Sequence, residues 1–245
     1  MRILYYDLET APNLVYSFNT FKANIGHEQI VEPARIICFS YQWDDENKVH
    51  FESEFHSSRK EMLDKLWELL DEADFVVGYN NAGFDDIWVK SELLSEGYPP
   101  FSPFRSIDLY QGIKRLTRFP SKKLAYVAPR MLDDAKVTHT GFRMWIDCLN
   151  GDEKAWKLMK RYAIRDTKLL KPLYHKLRAW LPNHPNFALE LNGEQLACPV
   201  CQSTNVQRRG TTTTNASVFQ RFVCNDCGRW SRVSHRVKTT GLRNV

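Results

Sequence analysis

The chain opens with short apolar runs, each closed by a polar turn, and this rhythm predicts strands before helices. Residues 3–7 are apolar and aromatic and end on an acid, the pattern of a buried strand. Residues 35–43 and 48–53 read as two more strands joined by the polar turn Asp44-Asp45-Glu46-Asn47, which makes an early antiparallel meander. The period then changes. Ser58 with Glu61 three residues on is a capping-box signature, and Met62, Leu66, Leu69 and Leu70 recur at helical spacing, so a helix is expected over 58–73. Residues 75–79 read as a strand, and 84–94 as a helix that stops near Gly97 and Pro99-Pro100. The order over this part of the chain is βββαβα, an α/β arrangement.

Two amphipathic stretches, 108–116 and 122–131, come next, followed by a polar loop around 138–141. A long helical segment is expected over 152–181, kinked or broken near Pro172, because proline removes a helix hydrogen bond. Pro182, His184 and Pro185 close it. The linker is expected within 185–194, which divides the chain into a domain over 1–188 and a smaller one over 189–245.

Acids recur where these elements end. Asp7 and Glu9 close the first strand with one residue between them, so both side chains point to one face and can reach one cation. Residues 80–85 read Asn-Asn-Ala-Gly-Phe-Asp at a strand-to-helix junction and offer Asp85. Tyr162 and Asp166 lie four residues apart on the long helix, one above the other on one face. Clustered carboxylates repel and raise one another's pKa values unless cations compensate, and hard oxygen ligands suit Mg²⁺ or Mn²⁺. Asp86 diverges from Asp85 by about 100° on a helix and reads as a solvent-facing or capping acid.

In order and on the expected elements, Asp7-Leu8-Glu9, residues 80–85 and Tyr162-Ala163-Ile164-Arg165-Asp166 resemble the three motifs of the DEDDy branch of the DnaQ-like 3′ to 5′ exonucleases. The resemblance covers roughly residues 1–185. Arg161 stands where the DEDDh branch would place a histidine, and Tyr162 matches the tyrosine branch. The segment Ser121-Lys122-Lys123-Leu124, with Val127 and Leu132, is similar to a connecting helix of such enzymes. The resemblance implies a ribonuclease H-like mixed five-stranded sheet flanked by helices. It further implies two Mg²⁺ or Mn²⁺ ions: Asp7 would bridge them, Glu9 and Asp166 would complete the site that activates water, and Asp85 would support the second ion. Tyr162, with an ordinary phenol pKa near 10, would orient the water. Nucleoside 5′-monophosphates would be released. Aromatic and basic candidates for the substrate groove, Phe18, Phe21, Arg115, Arg118, Phe119, Lys122 and Lys123, are left unassigned, since isolated aromatics are commonly core.

Six cysteines change the picture of the C-terminal part. Cys198, Cys201, Cys224 and Cys227 form two Cys-x-x-Cys knuckles separated by 22 residues, the spacing of a four-thiolate structural Zn²⁺ site in a small β zinc ribbon. Such a site has no open position for water, so its role is folding. Cys38 and Cys148 read as structural. Around the knuckles stand Arg208, Arg209, Arg221, Arg229, Arg232, Arg236 and Lys238, with Phe219, Phe222 and Trp230 interleaved. Residues 191–245 hold 8 Lys and Arg against 2 Asp and Glu, whereas residues 1–190 hold 26 against 27. A basic, aromatic ribbon reads as a nucleic-acid clamp, with docking to a replication or repair protein as the rival.

The remaining patterns exclude other classes. The seven histidines are scattered without ligand spacing, and no glycine-rich phosphate loop occurs, which argues against nucleotide hydrolysis and histidine catalysis. Neither a signal peptide nor a run of about 18 uncharged apolar residues is visible. A soluble chain is expected in the cytoplasm, or the host cytoplasm for a viral chain. DNA is the favoured substrate, with RNA digestion or a non-catalytic nucleic-acid-binding adaptor as alternatives.

Overall fold

The computed structural model describes residues 1–21, 23–132, 141–191 and 196–242. The expected polar loop at 138–141 therefore lies outside the described residues, except for Gly141. Two compact units are present, Met1–Tyr174 and His175–Val245.

In the first unit β1 (Ile3–Thr10) sits in the middle of a five-stranded sheet. After a small two-stranded pair, β2 (Leu14–Val15) and β3 (Ile30–Glu32), the chain returns in β4 (Ile36–Trp43) and β5 (His50–Ser53), both antiparallel and on one side of β1. Helix α1 (Arg59–Glu72) starts where the sequence places it: Ser58 Oγ accepts from Glu61 N at 3.2 Å, and the Glu61 carboxylate accepts from Ser58 N at 2.8 Å. Strand β6 (Phe75–Gly78), helix α2 (Asp85–Ser95) and strand β7 (Arg105–Asp108) extend the other side in parallel, giving the order β5-β4-β1-β6-β7. The mixed five-stranded sheet is as expected. Neither β7 nor the β2–β3 pair is foreshadowed: β2 and β3 are two and three residues long, and β7 reads Arg-Ser-Ile-Asp with one apolar residue, so no alternation shows.

Alternation along β1 sorts its two faces. Leu4, Tyr6 and Leu8, opposite Trp43, Tyr41 and Phe39, pack beneath Met62, Leu66 and Leu70 of α1 and Val89 and Leu93 of α2. Asp7 and Glu9 stand on the other face, opposite Ser40 and Cys38. That face belongs to a second core containing Cys38, with Met144 and Cys148 of α5 (Arg143–Leu149) and Trp156 and Met159 of α6 (Glu153–Leu177). Between β7 and α5 run α3 (Leu109–Leu116) and α4 (Leu124–Leu132).

Of the kink or break expected at Pro172, the break does not occur: the long helix is continuous from Glu153 to Leu177 with Pro172 inside it. Pro172 and Lys168, whose carbonyl loses its helical donor, are both exposed residues, where solvent can answer an unpaired carbonyl. Leu169, Leu170, Leu173 and Tyr174 are buried on the opposite side, and their packing offsets a proline cost of about 3 kcal/mol.

The second unit contains β8 (Val206–Thr213), β9 (Ser217–Cys224), β10 (Trp230–Arg232) and β11 (Lys238–Thr239), all antiparallel to β9 or paired with it. It is the small β module that the cysteine spacing predicts. Among the described residues, no helix is long and apolar enough to cross a membrane.

Candidate functional site

The two carboxylates of β1 meet the long helix because α6 is pinned to the sheet next to them. Ser40, the register partner of Asp7, donates its hydroxyl to the Ala163 carbonyl at 2.9 Å. A hydroxyl has one proton to give, so the 2.6 Å contact between Ser40 Oγ and Thr167 Oγ1 is a bond donated by Thr167. Ala163 follows Tyr162 and Thr167 follows Asp166, and these two anchors bring Tyr162 and Asp166 to the Asp7 and Glu9 face. All four line one cavity of about 460 Å³. Trp145 of α5 meets the Tyr162 ring edge-on, with centroids 6.2 Å apart.

Asp85 takes a different place. Strand β6 pairs with β1 only as far as Tyr5↔Val77, and beyond it the Leu8 N–H donates to Asp85 Oδ1 at 3.1 Å. Asp85 is thus bonded to the residue between Asp7 and Glu9, but it is buried and is not part of the cavity wall. Burial pushes its carboxyl up to about 7, against the lowering effect of the Leu8 N–H. Asp86 is neither solvent-facing nor a cap, which corrects the sequence reading. Its Oδ1 accepts from Tyr6 Oη at 2.6 Å, its Oδ2 accepts from Ser106 Oγ at 2.9 Å, and Asn81 Nδ2 lies 3.3 Å and 3.4 Å from the two oxygens. Its place in the first turn of α2 is buried, and two of its donors, Tyr6 and Ser106, lie far away in sequence.

Other residues of the cavity were not singled out from the sequence. Tyr79, Asn80 and Tyr110 line it, and Lys123, read only as an unassigned groove candidate, is its one cationic wall residue among those described. Asn80 adopts a left-handed conformation at φ 71°, which asparagine tolerates better than most residues. Its N–H donates to Asp108 Oδ1 at 3.0 Å, and Asp108 also accepts from Gln111 N at 3.1 Å as the cap of α3. An aspartate at the head of the 108–116 amphipathic stretch is a readable capping signal; its second duty at Asn80 is not.

Asp7, Glu9 and Asp166 face one cavity with Lys123 as the lining cation, and Asp166 is buried. The Tyr162 hydroxyl is pushed well above the ordinary phenol range, first by burial and then by Asp166, Glu9 and Asp7. It therefore keeps its proton at neutral pH. The carboxylate oxygens that Asp7, Glu9 and Asp166 bring to this wall fit hard divalent cations such as Mg²⁺ or Mn²⁺. A separate groove of about 490 Å³ near Leu93, Tyr98 and Phe104 has an apolar wall with no carboxylate.

In the second unit the four cysteines come together as their spacing requires. Cys198 Sγ and Cys227 Sγ are 3.6 Å apart, as are Cys201 Sγ and Cys224 Sγ, and all four sulfurs lie within 4.8 Å of one another. Tetrahedral Zn–S bonds of about 2.3 Å put sulfurs about 3.8 Å apart, so the donor set fits Zn²⁺. Among the described residues, this is the group of His, Cys, Asp or Glu side chains gathered closely enough to share one ion as they stand.

Comparison with known proteins extends the fold assignment. The family model RNase_H_2, described as RNase_H superfamily, matches residues 4–178. A search of the curated proteins finds no match. Among solved structures, the family B DNA polymerase from the hyperthermophilic archaeon Pyrobaculum calidifontis is similar over 73% of this chain, with a TM-score of 0.52 and 18% identity. The match spans 25% of that polymerase chain, and at this identity it speaks for the fold alone.

Proposed function

The chain belongs to the RNase H superfamily, and we propose from that premise that it is a metal-dependent 3′ to 5′ exonuclease of the DEDDy type. It would release nucleoside 5′-monophosphates, from DNA in preference to RNA. The observation that carries this reading is the cavity in which Tyr162 and Asp166 of α6 face Asp7 and Glu9 of β1. The DNA preference leans on the fold shared with a DNA polymerase.

Asp7, Glu9 and Asp166, with Asp85 behind Leu8, would hold two Mg²⁺ or Mn²⁺ ions. When bound, these supply charge neutralisation at the scissile phosphodiester and activation of the attacking water. The chain's own groups do the rest. Tyr162, protonated at neutral pH, donates or accepts a hydrogen bond that orients the water and leaves proton abstraction to other groups. Lys123 offers a cation to a phosphate entering the cavity. Tyr79 and Tyr110, whose rings meet edge-on at 5.9 Å, form an aromatic wall beside it. In the second unit Cys198, Cys201, Cys224 and Cys227 would hold one Zn²⁺ with a structural role, and the basic ribbon around them would help bind nucleic acid.

The test uses 5′-labelled single-stranded DNA and RNA of one sequence with Mg²⁺, Mn²⁺ or EDTA. A ladder shortening from the 3′ end, absent in Asp7→Ala and in EDTA, is expected, with DNA degraded faster. Strands that are bound yet stay intact in every metal would make the chain a binding module. Cleavage of a closed single-stranded circle would make it an endonuclease.

A further inference from the structure

The sheet of the C-terminal unit has two unlike faces, and its register assigns them. Across β9 and β10, Trp230 pairs with Val223 and Arg232 with Arg221; across β8 and β9, Gln207 pairs with Val223 and Thr212 with Phe219. Directly opposed residues share a face, so Gln207, Thr212, Phe219, Arg221, Trp230 and Arg232 stand together. The other face is already used. Val206 and Cys224 belong to the cysteine core, and Val206, Phe222 and Ser231 line a cavity of about 120 Å³ with Leu196 and Pro199, which Arg232 at the strand end also borders.

The open face is built around guanidinium groups parked on rings. Arg221 lies over Trp230 at 4.5 Å from the ring centroid, and Arg232 over Phe219 at 3.7 Å. Arg221 Nε also donates to the Arg209 carbonyl at 3.1 Å, which orients its plane and uses one of its five donors. Phe219 is buried, whereas Trp230 is 50% exposed. Arg221 and Arg232 are direct cross-strand partners, and like charges so placed destabilise a sheet unless an anion answers them. No strand of this sheet contains a carboxylate. Asp226, in the knuckle before β10, is held by Ser203 and Asn205.

We propose that this face is a clamp for single-stranded nucleic acid, in which Arg221 and Arg232 take backbone phosphates and Trp230 stacks on an unpaired base. The inference rests on the nucleic-acid reading above and adds to it the location, the strandedness and the residues. The two arginines answer a polyanion, and their contacts with aromatic rings restrict them beforehand, so less side-chain freedom is lost on binding. The exposed indole selects for unpaired bases, because a duplex has its base faces already stacked.

The test is made on the full chain carrying Asp7→Ala, so that binding is read without hydrolysis, using labelled single strands and duplexes of equal length. Trp230→Ala should weaken single-strand binding about tenfold, the scale of one lost base–aromatic stack, and leave duplex binding almost unchanged. Trp230→Phe should restore most of the loss. Arg221→Gln with Arg232→Gln should lower the slope of log affinity against log salt by about 1.4, at about 0.7 per phosphate contact on a single strand. Zinc content measured alongside tests that the ribbon stays folded, and where it does not, the fallback variants are Trp230→Leu, which keeps apolar bulk and loses the stacking ring, and Arg232→Gln alone, which should lower the slope by about 0.7. Unchanged single-strand affinity and salt slope with zinc retained would overturn the proposal, as would equal losses on duplex and single strand. Binding lost in these variants while the Asp7-intact chain cuts nothing would sink the exonuclease reading and leave the clamp standing.

Discussion

Ser40 and Thr167, 127 residues apart, share a hydrogen bond of 2.6 Å, and this bond joins the strand beside Asp7 to the helix that carries Asp166. Buried hydroxyl pairs of this kind cost about 1–3 kcal/mol when one partner is left unsatisfied. Ser40→Ala and Thr167→Val should each lower stability by that amount and slow hydrolysis, although neither residue lines the cavity. Because they act as one unit, the double variant should cost less than the two singles together, by more than about 0.5 kcal/mol. Denaturant unfolding of the four proteins checks this, and additive losses would show that the two anchors work separately.

Tyr162→Phe separates orientation from metal binding. Losing one hydrogen bond near charged groups, worth about 1.5–3 kcal/mol, should slow turnover roughly tenfold to a hundredfold. The rise in melting temperature expected with Mg²⁺ or Mn²⁺ should remain. Asp166→Asn should abolish both. A Tyr162→Phe enzyme as fast as the parent would remove the tyrosine from the mechanism.

Asp85 and Asp86 are neighbours in sequence with opposite expected phenotypes. Asp86→Asn turns an amide toward Ser106 and Asn81, which are themselves donors, and should cost at least about 1–3 kcal/mol of stability. Its metal-induced melting shift should persist. Asp85→Asn should lose activity and reduce the metal shift while unfolding near the parent midpoint. The reverse pattern would reassign the ligand.

The difference between these two acids marks how far the sequence could be read. Strands β1, β4, β5 and β6 and helices α1 and α2 follow from local periodicity and caps; of the candidate site residues, Asp7 and Glu9 are visible near the end of β1 and Asp85 at the start of α2, while Tyr162 and Asp166 are visible by their four-residue spacing inside α6. The fates of Asp86 and Asp108 depend on partners 20 to 80 residues away, Tyr6, Ser106 and Asn80, which no window of sequence brings together. Pro172 does not break the helix for a related reason: propensity describes an isolated helix, while the burial of Leu169 and Leu173 decides the real one.

Zinc removal should act on the C-terminal unit. The purified chain should carry one Zn²⁺, and Cys198→Ser should reduce it sharply, because structural sites bind with apparent free energies of about 10–16 kcal/mol. A strong chelator should expose the amides of β8 and β9 to hydrogen exchange and leave those of β1 and β4 protected. Full protection of β8 and β9 without zinc would show that the ribbon folds on its own apolar contacts.

His184 supplies a pH dependence with a definite sign. Burial, followed by the charges of Arg229 and Arg178, lowers its pKa from 6.5 to about 4, against the opposing hydrogen bond to the Pro185 carbonyl at 2.6 Å. The folded chain therefore holds a neutral imidazole that the unfolded chain would protonate below about 6.5. Its contribution to stability is fully present above that pH and is lost progressively as pH falls to about 4. An NMR titration of the histidine ring protons, with His184→Gln to assign the resonance, should find a midpoint near 4. A midpoint near 6.5 would mean that water reaches the ring, and acid unfolding would then have to be traced to other groups.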